Sequence, residues 1–190
     1  FEHHHMGNSA EWVAREYNVS RFEQDEFAYL SHQKALDAQD AGHFDDEITP
    51  VEIPQRKGPP LLLKADETPR RDSTLEALAR LRPAFAEGGT ITAGNAPGLS
   101  DGAAAVVVMS GTRMRELGLT PLARVTGYAQ AAVRPLALFT APIYAVRRLL
   151  ENTHTSIDDY DLIEINEAFA AQVLADGQEL GWDWARVNVN

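Results

Sequence analysis

The segment DLIEINEAFAAQ, residues Asp161–Gln172, joins two kinds of secondary structure in one short run. Its first half has the closely spaced aliphatic residues of a buried strand, whereas the apolar spacing from Phe169 to Leu174 is helical. The change at Asn166 places a polar amide where a strand ends and a helix begins, which is where open α/β folds assemble ligand sites. The segment therefore predicts an α/β fold with Asn166 at a candidate site.

Asn166 itself has two interpretations. A carboxamide both donates and accepts hydrogen bonds, so it can hold a water or a carbonyl oxygen while negative charge develops there. Asparagine is also a favoured N-cap residue, and Glu167 suits the first turn of a helix. Spacing alone favours the cap.

The composition excludes several functional classes. With 190 residues and a formal net charge of −11, the chain lacks the basic surface of a nucleic-acid binder and is ill suited to anionic membranes. No apolar run approaches the roughly 20 residues that span a bilayer, and no signal peptide is visible, so we expect a soluble protein. Because there is no cysteine, these residues contain no disulfide, zinc-thiolate site or thiol nucleophile.

Two capping boxes predict helices. The first, Ser20–Glu23, opens a helix that Gly42 ends. The second, Ser73–Glu76, opens a shorter one that Pro83 ends. We interpret the small residues of the first helix as a close-packing face rather than a chemical site: Ala28, Ser31, Ala35, Ala38 and Gly42. We assign no role to His32 or His43.

Other elements follow from apolar runs and breakers. Extended segments are predicted at 48–54 and 61–63, a central strand at 106–109, and an alternating strand at 122–128. Further helices are predicted at 112–117, stopped by Gly118, and from Pro142 onward.

Two stretches invite a ligand interpretation. Arg70 and Arg71 are either solvated surface charges or guanidinium groups that pair with phosphate and stack on adenine. The glycine- and alanine-rich run 88–105 predicts a backbone that passes close to other backbone or to a ligand. A third stretch, His3–His5, resembles the end of a histidine tag; consecutive residues do not face one point, so we predict no metal site.

The run Asn-Glu-Ala-Phe-Ala at 166–170 resembles the signature of the thiolases, and four motifs earlier in the chain occur in the same order as in that family. They are His5-Met6-Gly7, Arg82-Pro83-Ala84-Phe85, the run 92–96 (Thr-Ala-Gly-Asn-Ala) and the run 101–105 (Asp-Gly-Ala-Ala-Ala). The resemblance implies a layered αβαβα thiolase fold, α/β in class and present only in part. It implies an inserted loop domain at 1–99, the end of the N-terminal core half at 100–120, and an incomplete C-terminal half at 121–190.

The resemblance also implies residue roles. Asn166 would orient a water that stabilises the enolate oxygen of a thioester. Contacts to coenzyme A (CoA) would come from His5, Met6, Arg70, Ala93, Pro97 and Phe169, with Arg70 at the nucleotide end and the glycine-rich loop along the pantetheine. Pro97 departs from the family pattern, because many members have there a serine that hydrogen-bonds CoA. Residues 139–142 either shape an acyl pocket or simply lead into a helix.

Family catalysis needs a nucleophilic cysteine, a histidine that activates it and a second cysteine, none of which lies in this chain. By resemblance they would precede Phe1 or follow Asn190, so we expect these 190 residues to be inactive alone.

The predicted function is that of an acetyl-CoA acetyltransferase, which condenses two acetyl-CoA into acetoacetyl-CoA and CoA or catalyses the reverse thiolysis. A degradative 3-ketoacyl-CoA thiolase and a non-catalytic CoA-binding remnant are the alternatives. The resemblance further implies CoA thioesters as substrates with no cofactor, a homodimer or homotetramer, and a cytoplasmic location. Without partner segments, we expect exposed apolar faces and aggregation.

Overall fold

The structure, a computed structural model, describes residues 3–190, and most of its regular secondary structure in that range is helical. The helices are α1 (Met6–Glu16), α2 (Arg21–Asp40), α3 (Leu75–Ala79), α4 (Gly111–Glu116), α5 (Ala141–Thr153) and α6 (Ala170–Leu180). The strands are β1 (Val51–Ile53) and β2 (Leu61–Leu63), and 3-10 turns lie at Pro135–Thr140, Ile157–Asp159 and Trp184–Arg186. No helix among the described residues is long and apolar enough to cross a bilayer.

Local signals placed most helix ends correctly. Ser20 Oγ accepts from the Glu23 N–H at 3.2 Å and Glu23 Oε2 accepts from the Ser20 N–H at 2.7 Å, which is the predicted capping box of α2. Just beyond α2, Gly42 adopts a φ of 75°, a left-handed conformation that favours glycine. The cap of α3 is Thr74 rather than Ser73, and α5 begins one residue before Pro142.

The segments predicted at 48–54 and 61–63 form an antiparallel hairpin. Val51 pairs with Leu63, and Ile53 pairs with Leu61. Most of the hairpin is exposed, so it projects from the helices instead of joining a larger sheet.

The core surrounds α6. Helices α1, α2 and α5 all pack against it, and its alanines and Val173 are buried. One apolar cluster joins α1 to Ile91, Phe139 and Phe169; a second joins Val173 to Trp182 and Val187. The small side chains of α6 allow its neighbours to approach closely.

Three strand predictions are wrong for the described residues. Segments 106–109 and 122–128 form no ladder there, and Val106, Val107 and Val108 are 81–86% exposed. Strand residues need hydrogen-bond partners on a neighbouring strand, and residues 3–190 place none beside these segments. At 162–165 the pairing is a single parallel bridge, Ile163 with Val187.

The prediction of Asn166 as a helix cap is also wrong. Helix α6 begins four residues later, with Phe169 at the N-cap. The Ala168 N–H donates to the Asn166 carbonyl at 2.9 Å, closing a three-residue turn. The Ala170 N–H donates instead to the carbonyl of Asn95 at 3.1 Å, so a distant loop supplies the acceptor.

Candidate functional site

A cleft of about 840 Å³ opens between α2, the segment that leads into α3, and the loop 93–98. This volume is within the usual range for small-molecule sites. Its α2 side is lined by Phe27, Ala28, Ser31, His32 and Ala35, and its opposite side by 67–70, Asp72, Ser73, Ala77, Leu78 and Leu81. Residues 93–98, Glu167 and Ala170 complete it.

The small residues of α2 serve a different purpose from the predicted one. Ala28, Ser31 and Ala35 line the cleft and are only partly buried, whereas Ala38 is buried. The sequence predicts a close-packing face here; instead, its short side chains leave space between α2 and the segment before α3.

His32, to which the sequence analysis assigns no role, lies in this cleft. Its Nδ1 accepts a long hydrogen bond from the Arg70 N–H at 3.4 Å. Partial burial, and then the charge of Arg70, lower the pKa of His32 below 6.5; Glu167 and Asp72 oppose that change. The imidazole is therefore neutral at pH 7 and does not add a second cation to the cleft.

The two adjacent arginines differ sharply. Arg71 forms a bidentate ion pair with Asp40, with Nη1 to Oδ2 at 2.8 Å and Nη2 to Oδ1 at 2.5 Å. Those hydrogen bonds lower the pKa of the Asp40 carboxyl. Arg70 lines the cleft, and its guanidinium forms no ion pair within residues 3–190. Of the two, Arg70 has the guanidinium available to an anionic ligand.

The loop at 90–95 is held by buried polar groups. Glu11 is 2% exposed, and its carboxylate accepts from the Thr90 N–H at 3.0 Å and the Ile91 N–H at 2.9 Å. The Asn95 side chain accepts from the Thr92 N–H at 2.8 Å and donates to Asp25 Oδ1 at 3.0 Å. These contacts fix the wall of the cleft to α1 and α2.

Ala93 and Pro97 both lie on this wall and are exposed to the cleft. Between them, Gly94 passes so close to α3 that a Cβ there would lie 2.5 Å from the Leu78 Cδ2. A side chain at 94 would force the ends of the Leu78 and Leu81 side chains to move, so glycine allows the wall to pack closely on α3. Pro97 has no backbone N–H to offer a ligand.

His5, Met6 and Phe169 do not line the cleft. His5 caps α1 by accepting from the Gly7 N–H at 3.1 Å, and its ring stacks on Phe85 at 4.9 Å; Met6 is exposed. Phe169 is 4% exposed in the core, with ring centroids 6.3 Å from Phe85 and 5.0 Å from Phe139. An aromatic series thus connects His5 through the core to Phe139.

Asn166 is exposed, and no hydrogen bond of its side chain is found within residues 3–190. The next residue, Glu167, reaches the cleft and is held on both sides: its Oε2 accepts from Ser31 Oγ at 2.6 Å and its Oε1 from Asn188 Nδ2 at 2.8 Å. Asn166 therefore belongs to a fixed turn, directly before a residue that lines the cleft.

The structure thus brings together Arg70, Ala93 and Pro97, and it places His5, Met6, Phe169 and Asn166 outside the cleft lining. No cluster of three or more metal-ligating side chains occurs within residues 3–190. Sequence reasoning missed His32, Asn95 and Glu167. For His32 a signal existed, since it follows Ala28 by four residues on the same helix face.

Comparisons with known proteins agree on one family. The family model "Thiolase, N-terminal domain" matches residues 1–112, and "Thiolase, C-terminal domain" matches residues 119–190. An acetyl-CoA acetyltransferase of Pseudomonas aeruginosa is 54% identical over 190 residues, which is 100% of this chain and 48% of the relative. The chain spans about half the length of the curated relatives it matches.

Solved structures give the same result. The acetyl-CoA acetyltransferase of Bacillus anthracis superimposes with a TM-score of 0.93 at 48% identity, over 100% of this chain and 48% of that one. Human mitochondrial 3-ketoacyl-CoA thiolase in complex with CoA superimposes with a TM-score of 0.89 at 40% identity, over 97% of this chain and 45% of that one.

Proposed function

This chain belongs to the thiolase family, and from that premise we propose that the whole protein is an acetyl-CoA acetyltransferase. It condenses two acetyl-CoA molecules into acetoacetyl-CoA and free CoA, or catalyses the reverse thiolysis. The observation that carries the proposal is the 54% identity, over all 190 residues, with a relative of that name.

The helices and the hairpin form part of the layered α/β thiolase fold, as the sequence predicted. We propose the same internal division as before: loop domain at 1–99, end of the first core half at 100–120, start of the second at 121–190. The exposed strand-like segments 106–109 and 122–128 then gain their ladder partners from residues outside this chain.

We propose that CoA lies in the 840 Å³ cleft. The guanidinium of Arg70, which has no ion-pair partner within residues 3–190, suits the phosphates of the nucleotide end, since arginine binds phosphate with two parallel donors. The wall at 93–98 presents short side chains along which a pantetheine can extend. A CoA complex of a relative that is 40% identical supports CoA as the ligand class.

The catalytic role falls to Asn166. A neutral amide beside the reacting thioester holds a water against the enolate oxygen as negative charge develops, without itself changing charge. Its exposed side chain has no competing partner within residues 3–190, which leaves it available for that water. Nucleophilic attack and proton transfer require cysteine and histidine from outside this chain, so these residues alone are inactive.

A degradative 3-ketoacyl-CoA thiolase is the second candidate, favoured by the superposition on the human mitochondrial enzyme. Both activities share the cleft and Asn166 and differ in the length of the acyl chain. We further propose a homodimer or homotetramer and a cytoplasmic location.

The proposal is tested in a chimera in which this chain replaces the matching 48% of the Pseudomonas aeruginosa enzyme. We expect the chimera to cleave acetoacetyl-CoA with CoA, faster than longer 3-ketoacyl-CoA substrates. Because loss of one oxyanion-stabilising group costs about 100-fold or more in kcat, the kcat of the Asn166→Ala variant is expected to fall by about that factor. Asn152→Ala, a change at an exposed asparagine of α5, is the control. A folded chimera without thiolysis would overturn the proposal.

A further inference from the structure

Asn188 pairs with the backbone directly before Asn166. The Ile165 N–H donates to Asn188 Oδ1 at 2.8 Å, and Asn188 Nδ2 donates to the Ile165 carbonyl at 2.9 Å. A carboxamide has the same donor and acceptor spacing as a peptide group, so this pair reproduces one step of a β ladder. This pair continues the parallel bridge between Ile163 and Val187, in which the Asn188 N–H donates to the Ile163 carbonyl at 3.0 Å.

The backbone at Asn188 explains why a side chain performs this function. Asn188 has a φ of 43°, a left-handed conformation that turns its main chain away from residue 165. Among residues with a side chain, asparagine is one of the few that adopt this conformation readily. The main chain therefore leaves the ladder while the side-chain amide extends it.

Asn188 also reaches the residue directly after Asn166. Its second Nδ2 hydrogen is donated to Glu167 Oε1 at 2.8 Å, and the other oxygen of Glu167 accepts from Ser31 Oγ at 2.6 Å. Glu167 is the central residue of the tight turn closed by Ala168 and Asn166. One asparagine thus fixes the residues on both sides of Asn166.

We infer that Asn188 is a positioning residue that aims the Asn166 amide at the reacting thioester. The inference rests on the proposed catalytic role of Asn166. Residues 165 and 167 are tethered and the side chain of 166 is not, so the direction of the Asn166 side chain follows from the tethers. Ser31 contributes from α2 by holding the far oxygen of Glu167.

The kinetic test uses the same chimera and the variant Asn188→Gly, which tolerates the left-handed backbone and removes the side-chain amide. We expect kcat for acetoacetyl-CoA thiolysis to fall by about 100-fold, the effect of misplacing a catalytic group by about 1 Å. KM is expected to change by less than about threefold, because the contacts to CoA are intact.

The decisive comparison is the double variant Asn166→Ala/Asn188→Gly. If Asn188 acts through Asn166, adding Asn188→Gly to Asn166→Ala lowers kcat little further. Val187→Ala is the matched control, since it destabilises the same segment at a buried residue without removing a hydrogen bond to residue 165 or 167. We expect its effect to be the same in both backgrounds.

Hydrogen exchange measured by mass spectrometry provides a readout that does not depend on activity. In Asn188→Gly the peptide that contains residues 163–168 is expected to exchange about tenfold faster or more, because the Ile165 N–H loses its acceptor. Unchanged protection of that peptide would overturn the inference even if the chimera were inactive.

The outcomes separate the two proposals. If Asn166→Ala lowers kcat and Asn188→Gly multiplies the loss independently, the positioning role is wrong and the proposed function stands. If Asn166→Ala leaves kcat unchanged in an active chimera, the catalytic role of Asn166 and the positioning role are both wrong.

Discussion

Replacing Asp176 with asparagine is expected to remove much of the pH dependence of stability between about pH 5 and pH 8. Asp176 lies within α6 with none of its surface exposed. Gln172 Nε2 donates to its Oδ2 at 2.9 Å, while Oδ1 has no partner among the described residues. Burial disfavours the charged form and raises the pKa of Asp176 from 3.8 to about 7, although the Gln172 hydrogen bond opposes this change.

The size of the effect follows from the two pKa values. Because the folded carboxyl holds its proton more tightly than the unfolded one, its contribution to stability is complete below about pH 3.8 and is lost as the pH rises to about 7. Each pH unit is worth about 1.4 kcal/mol, so the full loss is about 4 kcal/mol. Between about pH 5 and pH 8, the free energy of unfolding of the original chain should decrease by about 3 kcal/mol more than that of Asp176→Asn.

The assay is urea unfolding at both pH values, with the chain below about 1 μM to limit association. At the lower pH, Asp176→Asn is expected to be equal or up to about 2 kcal/mol less stable, because an amide N–H replaces the unpaired oxygen. Asp37→Asn, at an exposed residue of α2, controls for the loss of one negative charge. If Asp176→Asn and the original chain lose the same stability between the two pH values, Asp176 is not buried as described.

Three further predictions follow from the cleft and the exposed surface. Glu11→Ala leaves the buried N–H groups of Thr90 and Ile91 without acceptors, which should cost about 3–5 kcal/mol and lower the Tm by roughly 10 °C; an unchanged thermal melt would contradict it. In calorimetric titration of the chimera, Arg70→Ala should weaken CoA binding by about 10- to 100-fold, whereas Arg71→Ala should not weaken it because Arg71 is paired with Asp40. Pro97→Ser should tighten CoA binding about fivefold. Equal losses of CoA affinity for both arginine variants would refute the assignment of Arg70. Val107→Lys should slow aggregation of the isolated chain, as measured by light scattering, because Val107 is 86% exposed in a β-prone run. An unchanged aggregation rate would mean that the chains associate through another surface.

The parts of the fold that were predictable depend on near neighbours in the sequence. The capping box of α2 needs only residues 20 and 23, and the stop at Gly42 needs one left-handed residue. The strand predicted at 106–109 does not form among the described residues, since a strand exists only where another chain segment provides hydrogen bonds, and a local pattern cannot reveal that segment. Its residue pattern is correct for a strand, but the described residues lack the partner.

The candidate site shows the same division. Motif resemblance predicted that Arg70, Ala93 and Pro97 share one site, but it could not show that Asp40 pairs with Arg71 and that Arg70 has no ion-pair partner among the described residues. The hydrogen bond between Ser31 and Glu167 joins residues 136 positions apart, so no local sequence pattern predicts it. The cap interpretation of Asn166 failed for a related reason, because the acceptor for the start of α6 is the carbonyl of Asn95.

The central position of α6 has a consequence for biosynthesis. Helix α1 ends at Glu16 and α6 begins at Ala170, so the two surfaces that pack together leave the ribosome far apart in time. At about 5–20 residues per second, the earlier helices wait roughly 10–30 s with their apolar faces open. Until α6 emerges, the nascent chain therefore exposes the apolar face of α1 that α6 later covers.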